Sequence, residues 1–150
     1  MDVYDWLFVL CAVAFNLLIA GIFVAQKKGR QELTRTLGIA WLSLAIPLSI
    51  VFVRDLIVGR EAWIMICFVF ILFYMLVELL LDYVFKVAFR ERNITHIPYI
   101  LLEYIALYGL VRISFAIDRT WGWIVSIAFW ILMASLIYLY WGRKISPSKA

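Results

Sequence analysis

The stretch 77–86, VELLLDYVFK, carries Glu78, Asp82 and Lys86 one helical turn apart among apolar residues. A charge at the centre of a membrane costs about 2.5–3.5 kcal/mol on insertion scales, so such residues ask for a reason. Residues four apart share a helix face. Lys86 follows Asp82 in the favourable acid-first order, which makes an ion pair near a membrane boundary the expected role of those two. Glu78 is expected deeper, about 12 Å along the helix from Lys86, and Glu103 of the next apolar stretch about 8 Å in from Pro98. Two carboxyls at one depth can share a proton, bind a cation, or serve as general base and acid. In the plainer alternative, each accepts hydrogen bonds from an adjoining helix and orients the bundle.

A second polar level contains Arg54 and Arg112. Guanidinium forks suit a lipid phosphate or a carboxylate, but these residues can also snorkel to the boundary or pair with Asp55, Glu61 and Asp118. Glu103 and Arg112, nine residues apart, fall on opposite sides of their helix and do not pair. Arg112 shares its face with Tyr104 and Tyr108, so these three are expected to form a polar wall opposite the carboxylates. Asn16, midway along the first apolar stretch, is a candidate partner for polar groups at its depth. Pro47 removes the hydrogen bond to the Ser43 carbonyl and is expected to kink its helix. His96, the single histidine, sits in a loop context without HExxH or ExxH spacing, so it is read as solvated rather than as a metal ligand. Cys11 and Cys67 show no metal spacing and are read as small packing residues.

The elements that must position these residues follow from composition. Of 150 residues, 67% are hydrophobic and 16% charged, with a mean hydropathy of +1.00. A soluble domain is roughly half apolar and a quarter charged. The apolar runs do not alternate as barrel strands would, and backbone groups in hydrocarbon need internal partners. The expectation is an all-α integral membrane protein, one transmembrane domain over 1–150, with helices about 4–25, 36–58, 62–86, 98–117 and 121–141 joined by short loops. The first helix is read as retained rather than as a signal peptide, because Asp2 and Asp5 replace a basic start and its apolar run is long.

Charge distribution sets the expected orientation. Lys27, Lys28, Arg30 and Arg35 lie in the first connection, Arg90 and Arg92 beside Lys86 in the third, and Arg143, Lys144 and Lys149 follow the fifth helix. By the positive-inside rule this places the N-terminus outside and the C-terminus in the cytoplasm, most simply across the plasma membrane. Tyr4, Trp6, Trp63, Trp121 and Trp123 are read as outer anchors, and Tyr83, Tyr99, Tyr138, Tyr140 and Trp141 as inner ones. Trp41 and Trp130 lie further in and are read as packing residues.

Size, five-helix count and aromatic richness resemble the tryptophan-rich sensory or translocator family. The proline- and tryptophan-rich loop of that family is missing, and none of its properties is carried over. The sequence contains no nucleotide loop, nucleophile elbow or haem-ligand pair, so no cofactor and no catalytic residue is assigned. The leading expectation is a small bundle that binds or moves a small or lipophilic ligand through a polar interior, with proton or cation coupling at Glu78, Glu103 and Asp82. A scaffold subunit of a membrane complex and an intramembrane enzyme using the same carboxylates are the alternatives. Expected partners are membrane lipids and a second copy or other membrane subunits, not nucleic acid.

Overall fold

The computed structural model describes residues 1–86 and 93–141. Arg90, Arg92, Arg143, Lys144 and Lys149 of the expected basic clusters lie outside them. Among the described residues every regular element is helical. Helix α1 spans Val3–Lys27, α2 Gln31–Ser43, α3 Ala45–Val58, α4 Ala62–Glu78, α5 Asn93–Ile117 and α6 Arg119–Tyr140. Helices α2 and α3 form one span, Gln31–Val58, so among the described residues five segments are long and apolar enough to cross a membrane.

The second span differs from the expected single helix over 36–58. It begins earlier, at Gln31, and breaks at Leu44, whose amide bonds the Trp41 carbonyl three residues back rather than four. Pro47 accounts for the break: it offers no amide to Ser43, and the ladder resumes with Leu48 N donating to Leu44 O at 3.1 Å. The third span also departs from regularity, because Glu78 passes into a π-helical turn, Leu79–Val84. Phe85 N there donates to Leu80 O, five residues back, at 2.8 Å. Tyr83 of this turn packs against α2, its hydroxyl occupying the space a side chain on Gly38 would need.

Successive spans pack side by side, and α1 packs against α6 to close the set into a ring. Lys27 seals that seam. Its ammonium donates to the Tyr138 carbonyl at 2.6 Å and to the Trp141 carbonyl, satisfying the last turn of α6, where cations are favoured. Ring contacts carry the interior, with Phe8 against Phe68 at 5.2 Å and Phe15 against Trp41 at 5.0 Å. The outside is apolar instead of polar. On α3, Ile46, Ile50, Val53 and Ile57 form an exposed stripe, and on α4 Ile66, Val69, Phe70 and Phe73 form another. Such a surface is stable in lipid and a liability in water. Trp130, expected as a packing residue, belongs to it at 68% exposed.

Capping defines the helix starts. Asp118 accepts from Thr120 N at 2.8 Å and Trp121 N at 3.2 Å to start α6. Asp2 and Asp5 form a reciprocal capping box at the start of α1, with Asp5 N donating to Asp2 Oδ1 at 2.9 Å. The Asp5 amide, and then the Arg54 guanidinium, hold the Asp2 carboxyl below the usual aspartate range. A depressed carboxyl contributes stability that is present above its unfolded pKa and lost as pH falls through the folded one. Hydrogen-exchange protection of the Asp5 amide should therefore fall only below the ordinary aspartate range, and Asp2→Ala should remove it at every pH. Unchanged protection in Asp2→Ala would show that the cap does not hold this turn.

Candidate functional site

The two polar levels end up doing different things. At the Asp2 end of the bundle, charges pair with one another. Arg54 meets Asp2 and, at 2.7 Å, Asp55; Arg60 meets Asp5 and, at 3.4 Å, Asp55 again. Asp55 is 1% exposed, so one buried carboxylate lies between two guanidiniums and ties the end of the second span to the start of the first. Arg54 thus takes the pairing role open to it in the sequence, with Asp2 as a partner additional to those considered. Arg112 lies elsewhere, with its guanidinium over the Trp63 ring at 5.4 Å, a cation–π contact.

At the Lys27 end all five spans surround a cavity of about 170 Å³. Glu78 and Glu103 line it from α4 and α5. They are joined by Tyr74 and Tyr99, and the spacing explains why. Tyr74 precedes Glu78 by four residues and Tyr99 precedes Glu103 by four, so each tyrosine shares a helix face with its glutamate. Because α4 and α5 are packed neighbours running in opposite senses, Glu78 comes level with Tyr99. The Tyr99 hydroxyl donates to Glu78, and the Tyr74 and Tyr99 hydroxyls lie 3.3 Å apart. The pair of Tyr-x-x-x-Glu stretches is the sequence signal that identifies this cluster.

Trp41 completes the aromatic wall. Its ring lies 5.5 Å from Tyr74, and Tyr74 lies 5.7 Å from Tyr99. It is 2% exposed, and its Nε1 has no hydrogen-bond partner among the described residues. His96 also lines the cavity, from the first turns of α5, with a buried Nδ1 that likewise has none among them. Instead of a solvated loop residue, this histidine is part of a helix and of the wall. Tyr99 is buried in the interior and not an interfacial anchor, because its helix turns that face toward α4. The remaining surface is mostly apolar, with Ile19 and Ile22 from α1 facing Leu132, Met133 and Leu136 from α6.

The other sequence candidates lie apart from this cluster. Tyr104 lines the cavity and its hydroxyl reaches the Met133 sulfur at 3.8 Å, but Tyr108, one turn on, is 64% exposed on the outer surface. The expected wall of Tyr104, Tyr108 and Arg112 is therefore divided between the cavity and the exterior. Asp82 is exposed in the π-helical turn, outside the cavity lining. Asn16 is fully buried, and its Nδ2 donates to its own helix at Ala12 O, 2.9 Å, while its Oδ1 has no partner among the described residues. Among the described residues no three of His, Cys, Asp and Glu converge as metal ligands.

Chemically, the cavity brings two carboxyl groups and phenol hydroxyls together among rings and aliphatic side chains. A few polar groups within mostly apolar walls is the usual composition of a small-molecule site. Comparison with protein families, with characterised proteins and with solved structures finds no match to this chain.

Proposed function

We propose that this chain is a multi-pass membrane protein that binds, or passes across the membrane, a small or lipophilic ligand held in the cavity at the Lys27 end. Its N-terminus would face outside and its C-terminus the cytoplasm, most simply across the plasma membrane, in keeping with the basic residues at the Lys27 end. The observation that carries the reading is the approach of Glu78 and Glu103, from two spans, to one cavity of about 170 Å³. Carboxylates are expensive at membrane depth, and a site that takes up a proton or cation with its ligand gives that expense a use. Five spans are few for a solitary carrier, which favours a homo-oligomer.

One observation favours a second reading, a subunit of a larger membrane complex. Tyr108 and Arg112, one turn apart on α5, are both exposed at the outer surface, where a neighbouring protein could receive them.

Native mass spectrometry after gentle solubilisation tests both readings. The wild-type protein should retain a small molecule. Met133→Trp, which fills the cavity from α6, should lower its occupancy about tenfold or more with the oligomer intact, a loss equivalent to about 1.4 kcal/mol of binding. Equal retention in Met133→Trp would remove the cavity from consideration as the ligand site. A stoichiometric second protein carried with an empty cavity would favour the subunit reading.

A further inference from the structure

We infer that the face shared by α4 and α5 at the Asp2 end holds a glycerophospholipid, with its phosphate at the Arg112 guanidinium and an ester carbonyl at the Tyr108 hydroxyl. The site lies apart from the cavity and does not depend on what the cavity binds. It gives the exposed Tyr108 and Arg112 a lipid, not a neighbouring protein, as their occupant.

Charge identifies the headgroup. Arg54 and Arg60 each meet carboxylates, whereas among the described residues Arg112 forms no ion pair, although it is exposed. Its contact is with a ring: the guanidinium lies over Trp63 at 5.4 Å. Trp63 draws on the charge and leaves the fork of N–H donors that suits a phosphate. Glu61, just before Trp63 in the chain, accepts from the Trp63 indole. A cation on the lipid-facing surface of a span is costly until an anion meets it, and the anion that a bilayer supplies is the lipid phosphate.

Depth agrees with that assignment. Trp63 is the second residue of α4, so the Arg112 guanidinium is held at the end of the spans, the level that interfacial tryptophans occupy. Tyr108, 64% exposed, lies one turn further into the membrane, about 6 Å along α5. The polar region of a bilayer is about 5–8 Å deep on each side, and the ester carbonyls of a glycerophospholipid lie on the hydrocarbon side of its phosphate. A phosphate donor with a carbonyl donor one turn below it repeats that order.

The acyl chain has a matching surface. On α5, Ile105 and Leu101 continue the row of Arg112 and Tyr108 in steps of three and four residues, and on α4 Ile66, Phe70 and Phe73 continue the row of Trp63 in the same way. The Arg112 contact with Trp63 sets the two rows side by side. Gly109 keeps them close, since a Cβ there would lie 3.3 Å from that of Cys67. A chain descending from Tyr108 would run along both.

Native mass spectrometry of the full chain in detergent tests this with dioleoyl phosphatidylglycerol, its diether analogue and dioleoylglycerol as probes. The phospholipid should bind about tenfold or more tightly than dioleoylglycerol, since hydrogen bonds to charged groups are worth that much. The diether should bind several-fold more weakly than the diester, and Tyr108→Phe should remove that difference. Arg112→Gln should weaken the phospholipid about tenfold and leave dioleoylglycerol unchanged, while Arg112→Lys should recover part of the loss. Met133→Trp, which fills the cavity, should change none of these values. A wild-type protein that does not distinguish the phospholipid from dioleoylglycerol overturns the assignment without recourse to any variant, as does undiminished phospholipid binding in Arg112→Gln. Displacement of the phospholipid by inorganic phosphate would make this a site for a free anion. Loss of a stoichiometric second protein from Arg112→Gln, with lipid binding intact, would give the face to that protein. Either result overturns the lipid assignment, and neither bears on the cavity.

Discussion

Replacing Phe15 by alanine is expected to destabilise the protein by about 3–5 kcal/mol, the usual cost of deleting a fully buried phenylalanine ring. Phe15 is fully buried and holds two members of the aromatic wall, with its ring 5.0 Å from Trp41 and 6.3 Å from Tyr74. The substitution removes the packing that fixes Trp41 and lets the cavity extend toward α1. Phe8→Ala is the control, since Phe8 is equally buried but packs on Phe68, away from the cavity lining. Both variants should lose similar stability in a dodecyl sulfate titration from mixed micelles. Phe15→Ala alone should alter the fluorescence that is lost in a parallel Trp41→Phe background. Equal spectra for the two variants would mean that Phe15 does not position the indole.

Asp55→Ala is expected to cost about 3 kcal/mol, at the low end for breaking a buried ion pair from one side. The low end applies because Arg54 and Arg60 each remain about a fifth exposed and keep Asp2 and Asp5 as partners. Asp2→Ala removes a carboxylate that is 41% exposed, so although it takes away a cap as well as an ion pair it should cost less than Asp55→Ala. The contrast between the two variants, read in the same titration, is the test. If Asp55→Ala is no worse than Asp2→Ala, the buried carboxylate does not organise that end of the bundle.

Much of the frame was legible because membrane spans announce themselves by length and composition. The five apolar segments and the disturbance at Pro47 follow from single-residue properties that neighbours do not override. The start of the second span was missed because Gln31, Glu32, Thr34 and Arg35 read as a connection, although a helix pointing its polar turn out of the hydrocarbon can include them. The π-helical turn after Glu78 has no signal in a pattern read at 3.6 residues per turn. Glu78 and Glu103 stood out by their charge, but their tyrosine companions did not. A tyrosine near a span end is ambiguous between anchor and interior, and only the packing of α4 on α5 decides it. Tyr108 illustrates the same limit from the other side: it shares a face with Tyr104 by count, yet one turn carries it past the edge of the cavity. His96 reads as part of the connection FRERNITH, whereas α5 begins at Asn93 and carries Pro98 within it, against the usual tendency of proline to mark a helix boundary.

The seam between α1 and α6 also bears on how the molecule is made. Its two sides are the first and the fifth of the spans in chain order, so ribosomal synthesis delivers them at opposite ends of the insertion sequence. Until α6 enters the bilayer, Lys27 has no helix end to cap, and the side of the cavity formed by Leu132, Met133 and Leu136 stays open. The cavity with its two carboxyl groups is thus absent until the last span arrives and is completed in a single late event, when the ring closes.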